Sequence, residues 1–156
     1  MDFEDFLRLL RALERHGVNY VLVGAAALSV HGLVRATEDI ALFVRPEAQN
    51  VERLRRALRS VWDDPDIEQI SAQDLTGEFP TIRYVSPGGT PVIDILSRLG
   101  TELRFEDLEA ETVVLEGTQV RVATPRTLYR MKKDTVLPID RADAQALREK
   151  FKLEES

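Results

Sequence analysis

The chain has 156 residues, 44% of them hydrophobic and 31% charged, with no cysteine, two histidines and a formal net charge of −6. A chain of this length buries a core without staples. The missing cysteines exclude disulfides and thiolate-held zinc, and His16 and His31 are too few for a histidine-rich metal site. The acidic balance argues against non-specific coating of nucleic acid, no stretch reaches the length of a membrane span, and the acidic start MDFEDF is unlike a signal peptide. A cytoplasmic protein with no membrane partner is therefore expected.

Phe3, Phe6, Leu7, Leu10 and Leu13 recur at helical spacing, and Gly17 stops that first helix after His16. Residues 20–23 read as a short buried strand, followed at once by Gly24 and a small-residue helix over 25–30 that ends at Gly32. A β-branched and aliphatic run over 39–44 is a second strand. Pro46 suits the first turn of a helix with the apolar stripe Val51, Leu54, Leu58 and Val61. The polar stretch 63–78 is expected to be mostly loop. Residues 82–85 and 92–96 flank Ser86-Pro87-Gly88-Gly89-Thr90, an antiparallel hairpin signal, and 112–115 with 118–122 form a second pair around Glu116-Gly117. Thr124 before Pro125 is an N-cap for a helix running to about Lys133. Pro138 opens a last helix carrying Ala142, Ala146, Leu147 and Phe151. The expectation is one α+β domain over 1–156 with a small mixed sheet and packed helices, its core in 18–100 and its C-terminal hairpin and helices in 111–151.

Strand periodicity places Asp39, Ala41 and Phe43 on one face and turns Ile40, Leu42 and Val44 to the core; in the later strand Val92, Asp94 and Leu96 share a face. If those strands are neighbours, Asp39 and Asp94 converge and could hold magnesium, an oxygen-seeking ion commonly bound by one or two carboxylates plus substrate phosphates. The plainer alternative makes both solvent-facing strand-end residues. The turn from Gly24 into Ala25 allows close backbone approach to a phosphate, although small residues also serve tight helix–sheet packing. Arg35 and Thr37 could hold phosphate oxygens or brace Asp39, or belong to an exposed loop.

Taken together, the strand, Gly24-Ala25, the small helix, His31-Gly32, Arg35, Thr37, Asp39 and the later Asp94 resemble the DNA polymerase beta-like nucleotidyltransferase superfamily, and within it the AbiEii-type toxin components of bacterial toxin–antitoxin systems. The ending Pro125-Arg126-Thr127-Leu128, Lys132-Lys133, Asp140, Asp143 is similar to that family's as well. The resemblance implies a nucleotidyltransferase fold and metal-dependent transfer of a nucleoside monophosphate from a nucleoside triphosphate (NTP) to an RNA, protein or small-molecule acceptor. It implies Mg2+ or Mn2+ as cofactor, with tRNA or a protein as candidate acceptors and an antitoxin protein as partner. On matching positions, Asp39 and Asp94 are implied to be metal ligands and catalytic. Gly24, Ala25, Arg35, Thr37, Lys132 and Lys133 are implied to bind the nucleotide, although the two lysines also suit a helix C-terminus. The family places a second aspartate where this chain has Ala41. That departure has two sources: a deliberate inactivation, favoured by the survival of Arg35 and Asp94, or a naturally degenerate domain. Two other readings compete: a catalytically dead domain that binds a nucleotide or partner to regulate, and an interaction domain with no ligand. Arg55, Arg56 and Arg59 form a basic flank that suits RNA phosphates or plain solvation, and the acidic residues Asp63, Asp64, Asp66 and Glu68 could repel RNA or meet a basic partner.

Overall fold

A computed structural model describes residues 2–33, 39–78, 80–99, 103–132 and 138–153, the side chains of 138–141 excepted. The first helix, α1 (Phe3–Arg15), begins where the Asp2 carboxylate accepts the Glu4 N–H. It carries Glu4 and Asp5 in its first turn and Arg15 in its last, charges that complement the helix dipole. Its apolar stripe buries Phe6, Leu7, Leu9, Leu10, Ala12 and Leu13, whereas Phe3 stays half exposed at the frayed end.

Strand β1 (Tyr20–Val23) runs directly into α2 (Gly24–Val30), and β2 (Asp39–Val44) follows. Helix α3 (Ala48–Val61) starts two residues after Pro46, so the expected first-turn proline is corrected. The reason is local: Glu47 keeps an extended backbone as N-cap, while the Asn50 amide donates to the Arg45 carbonyl and holds the strand exit in a turn. The stretch 63–78 is also more ordered than a loop. Asp64 caps a 3₁₀ turn over Pro65–Gln69, Ser71 caps α4 (Ala72–Thr76), and Ile67, Ile70 and Leu75 are buried beneath otherwise polar sequence.

Strands β3 (Thr81–Val85) and β4 (Val92–Leu96) form the expected hairpin, and β5 (Arg98–Leu99) pairs with β6 (Leu103–Arg104) in a ladder too short to signal itself by pattern. Strands β7 (Ala110–Leu115) and β8 (Thr118–Ala123) form a hairpin whose turn residues Glu116 and Gly117 both take positive φ, 47° and 75°, matching a primed turn. The chain closes with α5 (Pro125–Lys132), whose first turn is capped by the Thr124 hydroxyl accepting the Thr127 N–H, and α6 (Pro138–Phe151). Among the described side chains of α6, Ala144 and Leu147 are buried and Phe151 packs partly buried against the core, whereas Ala142 of the expected set is exposed.

The six-stranded sheet has the order β3-β4-β2-β1-β8-β7, with antiparallel and parallel pairings alternating across it. Its mixed pairing agrees with the expected α+β fold class. One face carries Leu22, Leu42, Ile95, Ile93, Val120 and Val122, all fully or almost fully buried. Helix α1 lies against that face, and its Arg11 donates to the Thr118 hydroxyl at 2.9 Å. The opposite face is closed over Phe43 but only half closed over Asp39, Ala41 and Asp94. No helix among the described residues is long and apolar enough to cross a membrane.

One polar group ties the two sides of the fold together. The Asn50 side chain, 2% exposed, accepts the Asn19 N–H at 2.7 Å and donates to the carbonyls of Asn19 (3.0 Å) and Arg45 (2.9 Å). It thus joins the start of α3 to the entrance of β1 and the exit of β2. Replacing it leaves the part-buried Asn19 N–H and the carbonyls of Asn19 and Arg45 to find other partners, each at a cost of about 1 kcal/mol or more. Asn50→Ala is expected to destabilise the protein by about 2–4 kcal/mol, read as a lowered midpoint in urea unfolding at unchanged slope.

Candidate active site

The parallel pairing of β2 with β4 sets Ala41 opposite Asp94 and Asp39 opposite Val92. Antiparallel pairing then sets Arg83 of β3 opposite Asp94, and Val23 of β1 opposite Ala41. Residues directly opposite one another point to the same side, so Arg83, Asp94, Ala41 and Val23 form one row across four strands, with Asp39 two residues from Ala41 on that side. The two carboxylates therefore share one half-open face.

They also share a cation. Arg83 Nε donates to Asp94 Oδ1 at 3.1 Å, its Nη2 lies 3.5 Å from Asp94 Oδ2, and the same Nη2 stands 3.7 Å from Asp39 Oδ2. A fork that grips one carboxylate and reaches a second is a geometry that arginine offers and lysine does not. The side chains of Arg83, Asp39 and Asp94 are 62%, 48% and 24% exposed, so the group is wet and its contribution to stability is that of a surface pair, about 0.2–1 kcal/mol.

On the other side of Ala41, Gly24 marks the turn from β1 into α2. Its φ of +72° is one that a side chain resists, and a Cβ added there would stand 3.1 Å from the Ala41 Cβ. Glycine thus keeps the space over position 41 clear. Gly24 and Ala41 line a recess of ≈ 200 Å³ together with Val23, Leu96, Leu99, Leu128, Met131 and Lys132; the two carboxylates lie outside its lining. Lys132, at the end of α5, reaches Asp143 of α6 at 3.2 Å, with both side chains mostly buried. Ala25 begins the body of α2, next to Gly24. Arg35, Thr37 and Lys133 lie outside the described residues.

The donor chemistry limits what this face can hold. Asp39 and Asp94 are hard oxygen ligands that suit Mg2+ or Mn2+. The neighbour that would complete the set is the methyl group of Ala41, and a guanidinium already lies on both carboxylates. Among the described residues, no group of three or more His, Cys, Asp or Glu is placed to hold a metal ion. The described residues do not by themselves fit a two-ion centre.

Arg83 escaped the sequence reading, yet a signal existed. Residues 85 and 92 flank the hairpin turn, and counting back from them in step puts 83 opposite 94. The basic flank of α3 proves to be partly neutralised: Arg55, Arg56 and Arg59 all contact Glu52, and Arg59 also pairs with Glu68. Hydrogen bonding from Arg55, with a further contribution from Arg59, holds the Glu52 carboxyl below its usual range. Of the acidic stretch, Asp64 accepts the Tyr84 hydroxyl at 2.7 Å. Burial first, and then that carboxylate, push the tyrosine's ionisation above its ordinary range.

Comparison with known proteins places this geometry. The sequence model of the family described as "Nucleotidyl transferase AbiEii toxin, Type IV TA system" matches residues 8–152. No curated protein sequence matches the chain. Among solved structures, a proposed nucleotidyltransferase from Thermotoga maritima is similar with a TM-score of 0.55 at 14% identity, over 97% of this chain and 96% of that one. An antigenic nucleotidyltransferase-like protein from Paracoccidioides brasiliensis aligns with a TM-score of 0.54 at 15% identity, over 92% of this chain and 75% of that one. ANT(2")-Ia, solved with adenylyl-2"-tobramycin, aligns with a TM-score of 0.54 at 12% identity, over 96% of this chain and 90% of that one. At these identities the likeness is one of fold, and the fold is that of nucleotidyltransferases.

The contact between Gly24 and Ala41 can be measured. Gly24→Ala is expected to cost about 1–3 kcal/mol, because alanine must adopt a left-handed backbone and press on the Ala41 methyl. Ala41→Gly in the same chain should return the part due to contact and leave the part due to φ. Chemical unfolding of the two single variants and the double variant separates the terms.

Proposed function

The chain belongs to the AbiEii nucleotidyltransferase family, and on that premise we propose that it descends from, and keeps most of the apparatus of, an enzyme that transfers a nucleoside monophosphate from an NTP to an acceptor. The reaction meant is attack by an acceptor hydroxyl or similar nucleophile on the α-phosphorus. The new bond joins acceptor oxygen to phosphorus, the bond to the β-phosphate oxygen breaks, and pyrophosphate leaves. The observation that carries this reading is the convergence of Asp39 and Asp94 on one half-open face, with Gly24 and Lys132 bordering the recess beside them.

In this reading Asp39 and Asp94 are the catalytic carboxylates, and the backbone around Gly24 and Ala25 approaches the triphosphate closely. Lys132 supplies positive charge from α5, held in place by Asp143; Lys133, Arg35 and Thr37 are assigned to the nucleotide by matching position alone. The family implies Mg2+ or Mn2+, which neutralise charge on the phosphates when bound. Ala41 withholds the oxygen ligand that the family places between Asp39 and Asp94, so the chain as written is an impaired transferase. The acceptor is taken to be RNA, tRNA included, a protein or a small molecule, and the setting a two-gene toxin–antitoxin system with an antitoxin protein as partner. The partial pairing of Arg55, Arg56 and Arg59 with Glu52 and Glu68 favours neither acceptor on that flank.

A second reading is favoured by Ala41 itself: a domain that keeps nucleotide or partner binding and regulates without catalysis. One substitution separates the two. Losing a preorganised electrostatic group costs about 10²–10³ in rate, so Ala41→Asp is expected to raise nucleotide transfer by at least that factor. The assay follows label from each NTP onto total RNA and onto protein, with magnesium and with manganese, and growth of cells expressing the variant should slow. An Ala41→Asp protein that folds, binds NTP and labels nothing would establish the regulatory reading instead.

Lys132 offers an independent check by calorimetry. Lys132→Ala should weaken triphosphate binding by about tenfold, the loss of one charge-assisted contact. Unchanged affinity would leave Lys132 as a partner of Asp143 and nothing more.

A further inference from the structure

We propose that Arg83 is the resident cation of the carboxylate pair, standing in the protein for a divalent ion, so that this face does not take up free Mg2+ or Mn2+ while Arg83 is in place. The inference rests on the reading of Asp39 and Asp94 as the family's metal-binding positions, and it explains why the donor set fails to fit a two-ion centre. A site with three carboxylates carries three negative charges and needs more than one positive charge opposite them. Here Ala41 removes one of the three, and Arg83 returns one positive charge to the remaining two.

The geometry makes Arg83 more than a neighbour. It belongs to the same cross-strand row as Asp94 and Ala41, so its direction is set by strand register and not by a flexible loop. Two of its nitrogens face the two oxygens of Asp94, and one of these also faces Asp39. An ion bridging the two aspartates would have to share the space the guanidinium spans or drive it away. β3 is the edge strand of the sheet and Arg83 is the most exposed of the three side chains, so displacement is sterically open but electrostatically opposed. Repulsion between a guanidinium and a divalent ion a few ångströms away is enough, even in water, to weaken metal binding about tenfold or more.

The test needs no turnover. Mn2+ is titrated into the full chain without nucleotide, free ion is followed by electron paramagnetic resonance, and amide resonances are followed by NMR. The parent should show no saturable site where Arg83→Gln shows one, an affinity gain of at least tenfold. Mn2+ should broaden the amides of 39–41 and 92–95 in Arg83→Gln and spare them in the parent. Arg83→Lys, which keeps the charge and loses the fork, should bind manganese more weakly than Arg83→Gln. Both substitutions fall at an exposed edge position, and thermal melting checks their fold. Equal binding by the parent and Arg83→Gln, or no gain in Arg83→Gln, would overturn the proposal. The outcome is independent of the transfer reading: a gain in manganese binding beside an inert Ala41→Asp removes only the transferase assignment. An active Ala41→Asp beside an unresponsive Arg83→Gln removes only this proposal.

Discussion

The register between β2 and β4 is the constraint on which the rest of this protein depends. A parallel pair holds its partners in a fixed slanted ladder, and a slip by one residue would turn Asp94 into the face occupied by Ile93 and Ile95. That face is packed by α1 and by fully buried aliphatic side chains, and an unpaired carboxylate there would cost several kcal/mol. Burial of Ile40, Leu42, Ile93 and Ile95 therefore pins the register, and the register in turn places Asp39, Ala41 and Asp94 side by side. These four core side chains define the site without belonging to it.

From this follows the asymmetry of the sheet. One face is closed by helices and sealed by contacts such as Arg11 to Thr118, and β4 alternates cleanly between buried positions on that face and half-buried ones opposite. The other face is closed over Phe43 and bordered by α5, and it remains wet where the carboxylates stand. A charged pair is tolerable there because water and the Arg83 fork share the task of solvating it. Gly24 completes the arrangement: a chain that turns from strand to helix within one residue needs positive φ, and the missing Cβ leaves position 41 uncrowded.

In this member of the nucleotidyltransferase family, the half-open face is organised by a single row of side chains. Arg83, Asp94 and Ala41 are consecutive across three strands. Elsewhere the charged residues are spent internally: Glu52 gathers three arginines of α3, Glu68 takes one of them, and Asp143 holds Lys132. In a chain with a net charge of −6, such pairing gives the described residues selected cations near the half-open face and not a broad basic surface.

Much of this was written locally. The period-2 alternation of 39–44 and 92–96, the Pro-Gly-Gly turn, the Glu116-Gly117 turn and the Thr124-Pro125 helix start are decided by near-neighbour sterics and hydrogen bonding, so the sequence by itself determined those elements and their faces. It also set Ala41 on the same strand face as Asp39, at the place where the family resemblance leads one to expect a second aspartate. The helical turns at 65–69 and 72–76 were hidden, since three buried apolar residues dispersed in a polar stretch leave no periodic trace. Only the tertiary structure decided which strands are neighbours, that Arg83 reaches both aspartates, and that Lys132 meets Asp143. These are pairings between residues distant in the chain, chosen by the packing of the whole sheet, and no local pattern carries that information.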